Sequence, residues 1–414
     1  MQPHLDLDDV NVAIVHDYLA QAGGAERVVA SLHDLVPKAP VYTSVYDANG
    51  TFDCFRDMDV RTSYLQRWPF SSRRLHKLAL FLYPGAFESF DFSQYDLVIS
   101  SSSSFAKGII TKPETCHVCY CHTPTRFAWH QQSYTEASWA KKAATPVMSQ
   151  LMGSMRGWDL DAARRADYVI ANSHNVARRI RKYYQRPVDA VIHPPVETSR
   201  FQSAPVEDVG DHFLVVSRLI GYKRIDLAIH ACNRLGKKLR IIGTGPELAS
   251  LQKRAGSTIT FCGRLPDKEV TRELSTCQAL IFPGDEDFGI TPLEAMASGR
   301  PVVAYGCGGA LETVIDGQTG LLFRKQSVES LCDALVRFDG VTFNPRALEE
   351  HARKFDTRQF HAAMRRFLVD AMADHREVNS LNQFSSTTSL FGNRRRSSEL
   401  HPIELPIDAL PREI

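Results

Sequence analysis

No stretch of 18 apolar residues, the length needed to span a bilayer, occurs in this chain. No early basic region followed by an apolar run marks a secretory signal either, so the chain is expected to stay in the cytosol. An excess of one charge is also lacking. Lys and Arg number 49 against 47 Asp and Glu, a formal charge of +2, which argues against a general nucleic-acid binder. Cysteine is present without order: nine residues, an odd number at irregular spacing, fit a reducing compartment better than a disulfide framework. What the chain does have is length and apolar content. Its 414 residues, 43% of them hydrophobic, suffice for two buried cores.

One cysteine cluster invites a metal reading. Cys116, Cys119 and Cys121 stand with His117 and His122 in a short segment, but the run reads as a buried strand. Successive side chains of a strand point to opposite faces and do not converge on one ion. The order needed for haem attachment is missing as well, since Tyr120 follows Cys119.

Strand and helix signals alternate along the chain. Apolar runs at Val12 to His16, Val41 to Val45, Leu97 to Ser100, His117 to Cys121 and Tyr168 to Ala171 read as strands, with helical spacing from Ala25 to Leu35. The series restarts after Pro194-Pro195, with strands at Phe213 to Ser217, Leu239 to Ile242, Ile259 to Cys262, Ala279 to Phe282 and Pro301 to Ala304. The expected class is α/β, as two Rossmann-like units. The boundaries read as 1–196 for the first domain, 197–355 for the second, a helix over 356–376, and a mobile tail over 377–414.

The densest chemistry lies in Glu286-Asp287-Phe288-Gly289-Ile290-Thr291-Pro292-Leu293-Glu294, where two carboxylates flank a glycine turn that opens a helix. Carboxylates accept hydrogen bonds from hydroxyls, and the N–H groups of a helix start donate to phosphate oxygens, a layout suited to a sugar joined to a nucleotide. Thr291-Pro292-Leu293-Glu294 reads equally as a capping box with proline at the first helical position, which needs no ligand. Glu286 lies outside that helix, beside Asp285 and Asp287 at a strand's C-terminal end, the edge where open α/β sheets bind ligands.

The E-x7-E pattern, with Phe288-Gly289 inside it and Gly299-Arg300-Pro301-Val302-Val303 after it, resembles the retaining glycosyltransferases of family 4. The likeness continues in Ser217-Arg218-Leu219 with Lys223-Arg224, Gly243-Thr244-Gly245-Pro246, Gly263-Arg264-Leu265, and Gly308-Gly309 with Glu312. In the first half it is carried by His16-Asp17-Tyr18, Gly23-Gly24-Ala25-Glu26, Ser100 to Ser104, and Cys121-His122-Thr123-Pro124. The resemblance implies the GT-B fold, two Rossmann-like domains facing across a cleft with the last helix crossing back to the first domain. It implies a cytosolic enzyme, soluble or peripheral on the cytoplasmic face of the inner membrane.

Site roles follow from the same resemblance. Arg218 and Lys223 are expected to grip the donor diphosphate, Glu286 the donor-sugar hydroxyls, and Glu294 the nucleotide ribose. Phe288, Gly289, Ile290 and Thr291 would present backbone amides to sugar and phosphates, and Gly263, Arg264 and Leu265 would lie against the base. Gly23 and Gly24 would let backbone approach the diphosphate, which a side chain would obstruct. His122 is expected to bind the transferred sugar or its neighbour, and Asp17, Tyr18 and Arg126 to meet the acceptor. No metal and no other cofactor is expected, because two cations and a helix N-terminus can do a metal's work. The family's retaining chemistry implies a front-face route in which the departing phosphate oxygen takes the acceptor's proton.

The overall look is similar to bacterial mannosyltransferases of exopolysaccharide, lipopolysaccharide and O-antigen assembly, which implies GDP-mannose as donor and a lipid-linked saccharide as acceptor. The stretch Leu65 to Tyr83, with Arg67, Trp68, Phe70, Arg73, Arg74, Lys77 and Phe81, suits an anionic membrane surface and equally a helix packed on its own domain. A UDP-sugar donor, a nucleotide-sugar epimerase and a non-catalytic nucleotide-sugar-binding scaffold stay open as rivals.

Overall fold

The computed structural model describes residues 7–67, 80–129 and 146–385. These form two compact units: 7–67, 80–129, 150–193 and 361–385 make the first, and 146–149 with 194–360 the second. Most of the basic, aromatic stretch from Leu65 to Tyr83, and the tail from 386 onward with Arg394 to Arg396, lie outside the described residues.

The first unit is built on a parallel sheet in the order β3-β2-β1-β4-β5-β6-β7. Its strands are β1 (Val12–His16), β2 (Val41–Thr43), β3 (Val60–Thr62), β4 (Leu97–Ser102), β5 (Cys116–Cys121), β6 (Tyr168–Ala171) and β7 (Ala190–Val191). β1, β4 and β5 are buried along their whole length, so they appear in the sequence as unbroken runs of apolar and small residues rather than as an alternation. The second unit repeats the plan in the order β10-β9-β8-β11-β12-β13. Here the strands are β8 (His212–Val216), β9 (Lys238–Ile242), β10 (Ile259–Gly263), β11 (Leu280–Phe282), β12 (Val302–Tyr305) and β13 (Gly320–Phe323). The strands read from sequence sit within these elements or overlap them. The three it passed over, β3, β7 and β13, are edge strands of two to four residues, too short to carry a periodic signal.

In both sheets the strand order reverses once, between β1 and β4 and between β8 and β11. Connections leaving the two strands at such a point run in opposite directions, which opens a crevice at their carboxyl ends. The motif residues leave the sheets at those ends.

The last helix, Thr357–Ser385, continues nine residues beyond the end expected at 376. From His361 onward it belongs to the first unit, with His361 Nε2 at 2.8 Å from Ser31 Oγ and Asp374 hydrogen-bonded by the Tyr168 hydroxyl. Phe360, Met364, Phe367, Leu368 and Met372 are buried, as their helical spacing predicts. Polar contacts carry it further, for Asn379 donates to the Pro113 carbonyl at 3.0 Å. Among the described residues no helix is long and apolar enough to cross a membrane.

Two buried histidines of the first unit give it a pH dependence. Burial, reinforced by Arg186, lowers the pKa of His117 to about 3, and burial, with His174 adding to it, lowers that of His193 to about 4. Both stay neutral in the folded unit at a pH where the unfolded chain, near 6.5, already binds protons. Stability is therefore lost as pH falls below 6.5, by about 1.4 kcal/mol per pH unit for each group. Melting of the protein should drop between pH 7 and pH 5.5, and His117→Leu should flatten that slope; an unchanged slope in the variant would refute the assignment.

Candidate functional site

At the carboxyl end of β1, Asp17 is 2% exposed. Its carboxylate accepts four backbone N–H bonds, from Ser103 and Ser104 at 2.6 and 3.0 Å and from Phe105 and Ala106 at 2.6 and 2.8 Å. Sequence reasoning placed Asp17 against the acceptor. In the structure both of its oxygens are bonded to the turn after β4, and the residue shapes the site by fixing that turn. Tyr18 and Arg126 are both half-buried, Tyr18 just past β1 and Arg126 opening the short helix Arg126–Trp129.

Gly23 caps α1 (Gly24–Leu35) with extended backbone, φ −138°, so no left-handed conformation demands glycine there. A β-carbon at Gly23 would stand 2.8 Å from Glu26 Oε2, so the end of that side chain would have to shift. Glu26 is 1% exposed and faces His16, itself 2% exposed, with 3.7 Å between Oε1 and Nε2. His122 follows β5, is nearly buried, and lies 2.8 Å through Nε2 from Ser101 Oγ.

Behind His122 the chain from Thr125 to Trp129 is held by a buried ion pair. Lys107 Nζ and Asp159 Oδ1 are 2.6 Å apart with their side chains at 1% and 0% exposure. Asp159 also accepts from Thr125 Oγ1 at 2.6 Å, Trp129 Nε1 at 2.7 Å and the Tyr184 hydroxyl at 2.9 Å. Burial works against the Lys107 ammonium, but Asp159, helped by Cys121 and Asp17, more than offsets it and holds the pKa above the ordinary lysine value. Sequence reasoning missed this pair, because neither residue sits in a motif and their separation along the chain has no period. The cysteine strand is confirmed as β5; His117 within it pairs with Ser100, and His122 just past its end pairs with Ser101. Burial pushes the Cys116 and Cys119 thiols above their usual pKa, which disfavours the thiolates that metal binding requires.

In the second unit, Arg218 is exposed just past β8. Its loop is set by backbone contacts, with Leu219 N–H donating to Thr244 O at 3.0 Å. The glycines opposite are obligatory. A β-carbon at Gly243, whose φ is +133°, would lie 1.9 Å from Ser217 O, and one at Gly245 would lie 2.3 Å from Leu219 O. Gly263 accepts from Gly243 N–H at 2.7 Å, leaving Arg264 exposed, while Leu265 packs on the core beside Ile290.

Lys223 and Glu286, far apart in sequence, meet as an ion pair at the β8/β11 crevice. Glu286 is 9% exposed, and its carbonyl accepts from Gly309 N–H at 2.8 Å. That close approach explains the second glycine of the pair, since a β-carbon at Gly309 would lie 2.2 Å from Phe288 Cα. The neighbouring Arg224 is turned away, forked onto Asp226 at 3.1 and 3.2 Å. The helix Ile290–Ala297 starts at Gly289, φ +97°, with no side-chain cap. Thr291 is thus inside the first turn, and the capping-box reading of Thr291 and Glu294 fails. The helix starts with Ile290 and Thr291, soon after Glu286 in the chain, and Glu294 lies half-buried a turn further on.

A model of the "Glycosyltransferase Family 4" domain matches residues 22–200, and one of "Glycosyl transferases group 1" matches residues 210–338. The chain is a family 4 glycosyltransferase. It is 31% identical over 235 residues to the GDP-mannose-dependent alpha-(1-6)-phosphatidylinositol monomannoside mannosyltransferase of Mycolicibacterium smegmatis. That match covers 47% of this chain and 61% of the relative, less than two-thirds of its length. The alpha-1,3/1,6-mannosyltransferase of Rhizomucor pusillus is 22% identical, over 91% of this chain and 94% of its own. Among solved structures, Anabaena HepE in complex with UDP has a TM-score of 0.64 at 18% identity, covering 87% of this chain and 100% of that one. Sucrose-phosphate synthase from Thermosynechococcus elongatus reaches 0.63 at 17% identity, covering 88% and 99%. The fold of this glycosyltransferase is GT-B.

Proposed function

We propose that this enzyme transfers mannose from GDP-mannose, with retention of configuration, to a lipid-linked saccharide in the assembly of a bacterial cell-surface polysaccharide, acting at the cytoplasmic face of the membrane. The observation that carries the donor half is the Lys223–Glu286 pair at the β8/β11 crevice, with Arg218 on the loop after β8 and the helix Ile290–Ala297 starting without a side-chain cap. A cation and a carboxylate neutralise each other there until a ligand offers a phosphate to one and hydroxyls to the other. The donor's anomeric C–O bond breaks with its electron pair passing to the diphosphate, whose growing charge Arg218, Lys223 and the helix N–H groups stabilise. The acceptor oxygen bonds to the anomeric carbon on the same face, and its proton passes to the departing phosphate oxygen. Mannose and GDP are favoured over a UDP-sugar because the curated relatives above are mannosyltransferases, one of them named as GDP-mannose-dependent.

The step needs no metal in this reading. A donor panel read by thermal shift should show the largest rise with GDP-mannose, since a ligand that binds the folded state raises its melting temperature. Transfer should then persist in EDTA. A larger rise with a UDP-sugar would replace the donor, and activity lost in EDTA and restored by manganese would overturn the roles of Arg218 and Lys223.

A further inference from the structure

One face of the first sheet carries a layer of helices whose outer surface has no task in the reaction. Val98 on β4 and Cys119 and Cys121 on β5 share that face by register, and the helix Pro146–Arg165 spans what they bury. Its Met155 packs with Tyr83 and Phe87 of the short helix Tyr83–Glu88. Its Ala163 and Ala166 pack with Val176 and Ile180 of the helix His174–Tyr184, so three helices form one continuous sheath.

The helix His174–Tyr184 places its apolar side on that core, and its other side is basic. Arg178, Arg181 and Lys182, at i, i+3 and i+4, make one exposed stripe, and none of the three has an ion-pair partner among the described residues. The helix itself contains no acidic residue. On the two neighbouring helices Asp159 is buried on Lys107 and Glu88 binds Arg165 at 2.7 Å, which leaves Asp161 as their one exposed acid without a partner among the described residues. The same sheath shows apolar side chains to solvent. Tyr64 is 42% exposed, Phe81 40% and Leu151 37%. The Tyr64 hydroxyl donates to the Leu82 carbonyl at 3.1 Å, which ties it beside Phe81, and Leu151 stands one turn before Met155 on the same side of its helix.

We propose that this sheath is the docking surface for an anionic phospholipid bilayer, with Arg178, Arg181 and Lys182 against the headgroup phosphates and Tyr64, Phe81 and Leu151 in the interfacial layer. Charge complementarity selects a polyanion, since guanidinium and ammonium groups bind phosphate. The apolar side chains select the bilayer among polyanions, because a nucleic-acid backbone would leave them in water. The apolar side of the helix His174–Tyr184 is already buried in the core, so this helix lies on the surface and does not sink into it. Its far end also reaches the segment after β5. The Tyr184 hydroxyl accepts from Thr125 N–H at 3.3 Å, and Tyr183 stacks on Trp129 with ring centroids 5.0 Å apart. A bilayer held by this helix is thereby brought to the segment expected to meet the acceptor.

That the bound bilayer is the one carrying the acceptor rests on the reaction proposed above, whereas the docking does not, and the test separates them. Full-length protein should co-sediment with phosphatidylcholine vesicles containing phosphatidylglycerol far better than with phosphatidylcholine alone, and added salt should weaken it. Arg178→Gln, Arg181→Gln and Lys182→Gln combined should lower that binding on the order of a hundredfold, about fivefold for each charge removed. Leu151→Ser should weaken it further. The combined variant should keep the native melting temperature and native transfer to a soluble acceptor analogue, and lose transfer to a vesicle-embedded acceptor. A combined variant that binds anionic vesicles like the native protein would overturn the proposal, as would equal native binding to neutral vesicles or tighter binding to a DNA duplex at the same ionic strength. Charge-dependent docking by a protein that transfers no sugar would leave the surface standing and sink the reaction.

Discussion

Changing Arg218 to alanine is expected to lower the rate of sugar transfer on the order of 10²–10³-fold, the loss typical when one fixed group opposite a developing negative charge is removed. The melting temperature should stay almost unchanged. Arg218 is exposed, and its loop is held by the Leu219 N–H bond to Thr244 and by the backbone contacts at Gly243 and Gly245, none of which involves its side chain. Glu294→Ala should weaken donor binding, as the loss of a ribose contact would, without removing a helix cap, because the helix Ile290–Ala297 begins at Gly289 and draws no cap from residue 294. Lys223→Met should differ. It removes a cation from the donor side and also leaves Glu286, 9% exposed, without its ion-pair partner, so turnover and melting temperature should fall together. Steady-state kinetics beside thermal melts would resolve the three. Normal turnover in a folded Arg218→Ala protein would remove this residue from the charge-stabilising set.

Asp159→Ala should cost about 3–5 kcal/mol, because it strands a fully buried Lys107 ammonium and leaves the Thr125 and Tyr184 hydroxyls and the Trp129 indole without their acceptor. For a unit of this size that corresponds to a fall of roughly 10 °C in melting temperature. Lys107→Met combined with Asp159→Leu should recover part of the loss, since the stranded charge is gone while the indole and hydroxyls stay unpaired. A single Asp159→Ala variant that melts with the native protein would show that the pair is not what holds the Thr125 to Trp129 segment.

Several elements were legible because their causes are local. The runs that became β1, β4 and β5 announced a sheet buried on both faces, and the helical spacing of Phe360, Met364, Phe367 and Leu368 announced the last helix. Local signals also misled. Thr291 and Glu294 have the spacing of a capping box, but the left-handed turn at Gly289 starts the helix earlier and takes that role away. Asp17 has in addition a structural task that no local signal shows, for four backbone N–H groups of a distant turn converge on it. The polar contacts that extend the last helix to Ser385 involve Pro113, which no pattern around 377 could indicate.

By itself, then, the sequence determined two parallel α/β units, the family, and the glycines where backbone must meet backbone, for these depend on periodicity and on steric needs written at single positions. The tertiary structure alone decided which polar groups meet. It brought Lys223 to Glu286, closed Lys107 onto Asp159, and placed Ser101 between His16 and His122. The physical reason is that a buried polar group must find a partner of the right donor or acceptor character. The partners within reach are set by the register and order of strands remote in sequence, which no local spacing encodes.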